Sequence, residues 1–205
     1  MEDVLDVYQR PYNEHHPVVC IDETNKQLIH QSRIPCEPGK PEKVDYEYVR
    51  NGVANVFMIS EPLAGKREVL VSEQRTAIDF ANALKHVADK LYPNAHKIVL
   101  VMDNLNTHKP DSLYKAFVPA EAKRLLDRFE WHFTPKHGSW LNMAEIEIGV
   151  MCHQELAKPL PDMESFKNQI EDWVQQRNSH VAKINWQFTN DDGRIKLKTL
   201  YPVVL

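Results

Sequence analysis

Two short apolar runs, each closed by an aspartate, constrain this chain more than any other feature: Val18-Val-Cys-Ile-Asp22 and Ile98-Val-Leu-Val-Met-Asp103. Runs of this length, rich in β-branched residues, read as buried strands, and each would carry its carboxylate at the C-terminal tip. In open α/β sheets, sites form at the C-terminal ends of strands. Neighbouring strands lie about 4.8 Å apart, so two such tips can bring their carboxylates together. Ionised carboxylates at that range repel, and a bound cation is the usual remedy. An all-oxygen donor set suits Mg²⁺ or Mn²⁺ rather than zinc. Taken singly, either aspartate reads more simply as a turn residue or helix cap.

The segments around these runs describe a mixed α/β chain. Residues 1–14 read as a short helix, and residues 32–45, with their prolines and glycine, read as a loop. Tyr46–Ser60 and Arg67–Val71, separated by the turn Pro62-Leu63-Ala64-Gly65, read as an antiparallel meander beside the first run. Thr76 opens an amphipathic helix carrying Phe80, Leu84, Val87 and Leu91, which Pro93 stops. Residues 119–127 read as helix, 129–133 as strand, 139–156 and 163–181 as helices, and the last 24 residues as irregular. Residues 1–160 are expected to form the main domain, with 161–205 as a C-terminal helix and tail packed on it.

A third acid comes from Thr134-Pro-Lys-His-Gly-Ser-Trp-Leu-Asn-Met-Ala-Glu-Ile-Glu. Pro135 and Gly138 make a rigid turn, Ser139 is placed to cap the following helix, and Glu145 falls about one and a half turns inside it. Glu147 is the rival, but two residues further is about 200° round the helix, so the two cannot share a target. Asn104 and His108 follow Asp103 closely and are candidates for contact with the water on a bound cation or with the substrate, against a plain capping or packing role. Lys136, His137 and Trp140 are weaker candidates for contact with a substrate, the first two through their basic groups and the third through its ring. For Trp140 a place in the core is the simpler expectation, and for Glu23 a plain turn role.

Taken in order, VCIDE, VMDNLNTH and TPKHGSWLNMAEIE resemble the three catalytic blocks of the mariner superfamily of DDE transposases, most closely its bacterial insertion-sequence branch. The tail, Ile184-Asn-Trp-Gln-Phe-Thr and Arg194-Ile-Lys-Leu-Lys-Thr-Leu-Tyr-Pro, resembles the end of those proteins. The likeness runs from about Glu2 to Pro202. It implies a ribonuclease-H-like mixed sheet flanked by helices, with the acidic triad on Asp22, Asp103 and Glu145. It further implies cut-and-paste DNA transposition: strand cleavage and strand transfer at a site holding two Mg²⁺ or Mn²⁺ ions. The interval from Asp103 to Glu145 is longer than in many mariner relatives, which points to an insertion near residues 111–128.

Composition bears on partners. The formal charge of −4 is unusual for a stand-alone DNA-binding protein, whose affinity comes largely from lysine and arginine. Members of the family carry helix-turn-helix units ahead of the catalytic blocks, and the first aspartate here is residue 22. A separate helix-turn-helix region or subunit is therefore expected to recognise the transposon ends, and a homodimer is expected from the resemblance. The three cysteines are far apart with no CxxC pair, which fits a reducing cytoplasm rather than a disulfide framework, and the resemblance implies a bacterial one, at the nucleoid. Neither a signal peptide nor a membrane span is expected. Two other readings share these features: a ribonuclease-H-like nuclease that does not join strands, and a transposase-derived fragment without activity of its own.

Overall fold

A computed structural model describes residues 1–33, 44–104, 109–157 and 159–201. Five strands form one sheet: β1 (Val18–Arg33), β2 (Val44–Glu61), β3 (Lys66–Ser72), β4 (Ile98–Met102) and β5 (Phe129–Phe133), in the order β3-β2-β1-β4-β5. The first three strands are antiparallel, while β4 pairs parallel with both β1 and β5. This is the expected meander joined to a parallel half. Among the described residues, seven α-helices flank the sheet: α1 (Glu2–Tyr8), α2 (Ala77–His86), α3 (Ser112–Ala116), α4 (Pro119–Leu126), α5 (Met143–Gln154), α6 (Met163–Ser179) and α7 (Asn190–Lys196). Among the described residues, no helix is long and apolar enough to cross a membrane.

The side-chain alternation of the strands splits the interior in two. Val19, Ile21, Ile98, Leu100 and Met102 face a layer built from α2, α3 and α4, around Phe80, Leu113 and Leu125. Cys20, Val99 and Val101 face the opposite layer, built from α1, α5 and α6 around Leu5, Met151 and Phe166. Burying about 25 cal/mol per Å² of apolar surface on both faces explains why β4 is apolar throughout, with every residue buried.

Several sequence expectations need correction. Asp22 stands within β1, not at its tip, because the strand continues for eleven residues to Arg33 as a ribbon with β2. The parallel ladder with β4 ends near Asp22 all the same, its last pair being Cys20 with Val101. The 32–45 loop is narrower than expected, since β1 and β2 take its ends; residues 34–43 lie outside the described residues. The short helix α3 was not expected, and with α4 it occupies the 111–128 interval. The tail is not wholly irregular: Thr189 and Asp192 form a reciprocal capping box that starts α7 without any apolar periodicity. Thr76 opens α2 in the same way with Asp79, and the helix continues as a π-helical turn, Val87–Leu91.

The turn between β2 and β3 depends on one glycine. Gly65 has φ +68°, and a Cβ there would stand 2.8 Å from the Val181 backbone carbon. Gly65→Ala therefore meets both left-handed strain and a collision with backbone. It is expected to cost about 1–3 kcal/mol, read as a lower midpoint in urea denaturation.

Candidate active site

Register places the two aspartates. Cys20 pairs with Val101 across parallel strands, and Asp22 and Asp103 each follow that pair by two residues, Asp103 just past the end of β4. Alternation decides their face: Cys20 and Val101 both point into the layer containing α5, and residues two further on point the same way. Asp22 thus projects to the face that α5 covers, and Asp103 follows the end of the neighbouring strand. Asp22 is buried and Asp103 half-buried.

The helix is tied to the strand by a residue that sequence reasoning did not single out. Asn142 is fully buried, and its Nδ2 donates to the Ile21 carbonyl at 2.9 Å and to Asp22 Oδ2 at 3.2 Å. Its Oδ1 accepts from the Ala144 N–H at 3.2 Å, which makes it the N-cap of α5. One carboxamide therefore caps the helix and orients the first aspartate. Asp22 Oδ1 also accepts from the Glu23 N–H at 2.8 Å, so both carboxylate oxygens are positioned. The sequence signal was present: Asn142 with an acid three residues later is a capping pattern.

That cap corrects the position of the third acid. Ser139–Leu141 is only a 3₁₀ turn, and Asn142 has extended backbone (φ −82°, ψ 109°) that separates it from α5. Glu145 is then in the first turn of the helix, not one and a half turns in, and is partly exposed. A carboxylate in a first turn is favoured by the helix dipole and stays close to the capped end, here the end held against Asp22.

Glu147 faces elsewhere. It is fully buried, with Oε1 2.7 Å from Arg67 Nη2 and Oε2 3.1 Å from Arg177 Nε. Burial alone would push its carboxyl up, but the hydrogen bonds from Arg67 and Arg177 outweigh that and hold it below the usual carboxylate range. The Asn178 carboxamide grips both the N–H and the carbonyl of Arg67, each at 2.8 Å. Glu145 and Glu147 thus divide: one is at the exposed helix start, the other locks α5 and α6 to β3.

The remaining candidates lie near the same rim. Asn104 is exposed, directly after Asp103; His108 lies outside the described residues. Thr134 N–H donates to the Met102 carbonyl at 2.9 Å, which fastens the end of β5 beside Asp103. The turn that follows exposes Lys136 and His137. Trp140 is not a core residue: it is 43% exposed, resting on Trp186 and Phe188. Glu23 is not a turn residue but a strand residue on the face opposite Asp22, paired with Arg75 at 3.2 Å. Cys20 packs beneath α5, where burial pushes its thiol up to about 11. Among the described residues, no three His, Cys, Asp or Glu side chains already stand close enough to enclose a metal ion. The backbone brings the three acids to one rim without closing them into a cage.

Removing the cap should show in stability as well as chemistry. Asn142→Ala would take away the α5 cap and leave the Ile21 carbonyl buried without its donor. The expected loss is about 1–3 kcal/mol, measured by chemical denaturation.

Comparison with known proteins agrees with this architecture. The model of the DDE superfamily endonuclease family matches residues 17–167. The chain superposes on the Mos1 mariner paired-end complex solved with Mn at a TM-score of 0.54 and 16% identity, covering 87% of this chain and 54% of that one. It superposes on the Mos1 strand transfer complex at a TM-score of 0.53 and 17% identity, covering 84% and 50%. The chain therefore spans about half the length of the Mos1 chains it matches, and at such identity the likeness establishes the ribonuclease-H-like fold. No curated protein matches the sequence. With the family model spanning most of its length and a mixed sheet of the matching fold, the chain belongs to the DDE superfamily endonucleases.

Proposed function

We propose that this chain is the catalytic domain of a DDE transposase that cuts DNA and joins the cut 3′ end to target DNA, with Asp22, Asp103 and Glu145 as its catalytic acids. The observation that carries the reading is the juxtaposition just described. The parallel pairing of Cys20 with Val101, two residues before each aspartate, supports a shared site for Asp22 and Asp103, and the Asn142 bond to Asp22 at the N-cap of α5 supports Glu145 as the third acid. The family match and the Mos1 complexes with DNA ends, solved with Mn and with Mg, support it.

The residues fit a hard divalent cation. All three donors are carboxylates, the hard oxygen ligands that such a cation prefers. Asp22 and Asp103 would hold Mg²⁺ or Mn²⁺ between the strands, with Glu145 completing the set from the helix. When bound, a pair of such ions supplies Lewis-acid stabilisation of the attacking and leaving oxygens in phosphoryl transfer. The chain's own part is to fix the carboxylates. Asn142 and the Glu23 N–H set the Asp22 group, and the Arg67–Glu147–Arg177 cluster holds α5 in place against the sheet. Lys136, His137, Trp140 and Asn104 would contact the DNA strand at the rim. A separate helix-turn-helix region or subunit would recognise the ends, and a homodimer would bring two ends together.

The test is strand joining. A pre-cut oligonucleotide end, supercoiled plasmid and Mn²⁺ are incubated with the protein, and covalent end–plasmid products are scored on a gel. Joining supports the transposase reading. Nicking without joining would assign a nuclease of the same fold, and neither product would leave an inactive transposase-derived fragment.

A further inference from the structure

A groove of about 380 Å³ lies between the Pro135–Gly138 turn and the chain termini, with Trp140 in its wall. Large aromatic rings are normally buried or partnered, yet the Trp140 indole stands 43% exposed. It is also rigidly supported. Trp186 stacks beneath it (centroids 6.2 Å apart, planes at 24°), and Phe188 meets it edge-on at 5.8 Å. Trp186 rests in turn on Tyr8 at 5.2 Å, and the Tyr8 hydroxyl donates to the Leu141 carbonyl at 2.6 Å, next to the tryptophan. A ring held this way presents a flat π-face with little entropy left to lose on binding.

The turn beside it is strained and basic. His137 has φ +62°, a left-handed conformation that glycine adopts far more easily. Gly138 folds so tightly on Pro135 that a Cβ would lie 2.6 Å from the proline Cγ. Lys136 and His137 are both exposed at the groove's edge. The acid in the groove wall, Glu2, is already balanced: Arg194 pairs with it at 2.8 Å and the Tyr201 hydroxyl donates to it. A phosphate at the Lys136 edge therefore meets the lysine ammonium, and the one carboxylate among the groove's lining residues is already paired. The same turn begins at Thr134, which is bonded to the residue before Asp103, and Trp140 lies two residues ahead of Asn142. The platform is thus fixed to the acid rim at both ends.

We propose that this groove captures one unstacked deoxynucleotide of the strand presented to Asp22, Asp103 and Glu145, its base on the Trp140 ring and its phosphate at Lys136. The inference rests on the DNA-processing reading above and adds a ligand to it: an unpaired base beside the scissile phosphate, not the duplex itself. Taking a base from its stack costs a few kcal/mol, and a rigid aromatic face returns energy of the same order. The platform would therefore discriminate frayed or overhanging ends from closed duplex.

The test separates binding from chemistry by working in Ca²⁺. Fluorescence anisotropy measures the affinity of the protein for a labelled duplex with a short single-stranded overhang and for the same duplex closed and blunt. Wild type is expected to prefer the overhang by about tenfold, a typical value for stacking one base. Trp140→Leu should lose that preference, Trp140→Phe should keep most of it, and Lys136→Ala should weaken overhang binding. Asp103→Asn should retain the preference, so a failure of cleavage and a failure of the platform read out differently. Equal affinity of wild type for both ends, or an unchanged preference in Trp140→Leu, would overturn the proposal. So would parallel loss of both affinities in Trp140→Leu with Trp140→Phe behaving the same way.

Discussion

Asp103→Asn is expected to lower Mn²⁺-dependent cleavage by on the order of 10³-fold or more, with almost no change in thermal stability. A carboxylate that holds a catalytic cation contributes several kcal/mol of transition-state stabilisation, and each 1.36 kcal/mol is tenfold in rate. Asparagine keeps the shape of the side chain and removes the charge. Asp103 is half-buried just past the end of β4, outside both apolar layers, so neutralising it leaves the packing untouched. Parallel nicking assays and melting curves of the two proteins check this. A variant that folds and cuts like wild type would remove Asp103 from the site.

Glu147→Ala should do the reverse and act first on the fold. It leaves two guanidinium groups, one of them fully buried, without their shared counter-charge. Breaking a buried pair in this way typically costs about 3–5 kcal/mol. At about 2–4 °C per kcal/mol for a chain of this size, the melting temperature should fall by roughly 6–20 °C. Glu145→Gln should leave the melting temperature nearly unchanged while removing activity. The two glutamates, two residues apart, would then separate cleanly into stability and chemistry. The cluster also sets a pH dependence. Because the Glu147 carboxyl is held below its usual value in the folded state, its contribution is present above the unfolded carboxylate range, near 4.5. It is lost as pH falls through the lower folded value. Melting temperatures measured from pH 7 to pH 3 should show a steep acid-side loss in wild type that is blunted in Glu147→Ala.

Much of this arrangement was legible in the sequence, for definable reasons. The runs at Val18–Ile21 and Ile98–Met102 are apolar on both faces, which only buried strands tolerate, and Thr76 with Asp79 announces a helix start unaided. The spacing of Glu145 and Glu147 already required opposite directions, and the Arg67 and Arg177 contacts supply the reason. What the sequence did not disclose depends on tertiary partners. Nothing local says that β1 continues past Asp22, because its second half is stabilised by β2 across the ribbon. Asn142 was passed over because its main partners, Ile21 and Asp22, are some 120 residues distant. Trp140 was expected inside because large rings bury area; here Trp186 and Phe188, from the tail, support it from below and leave its other face open. The short α3 lacks the length at which periodicity becomes readable.

The central claim, that parallel register and the Asn142 tether make one cation site of Asp22, Asp103 and Glu145, has a direct test in anomalous scattering. Crystals of the protein with a DNA end would be soaked in Mn²⁺ and measured near the manganese edge. The account predicts anomalous peaks held by the Asp22 and Asp103 carboxylates, with Glu145 turned toward them, and no such peaks in Asp103→Asn. Manganese bound elsewhere, with the carboxylates of Asp22 and Asp103 unliganded in a protein that still cuts DNA, would contradict it.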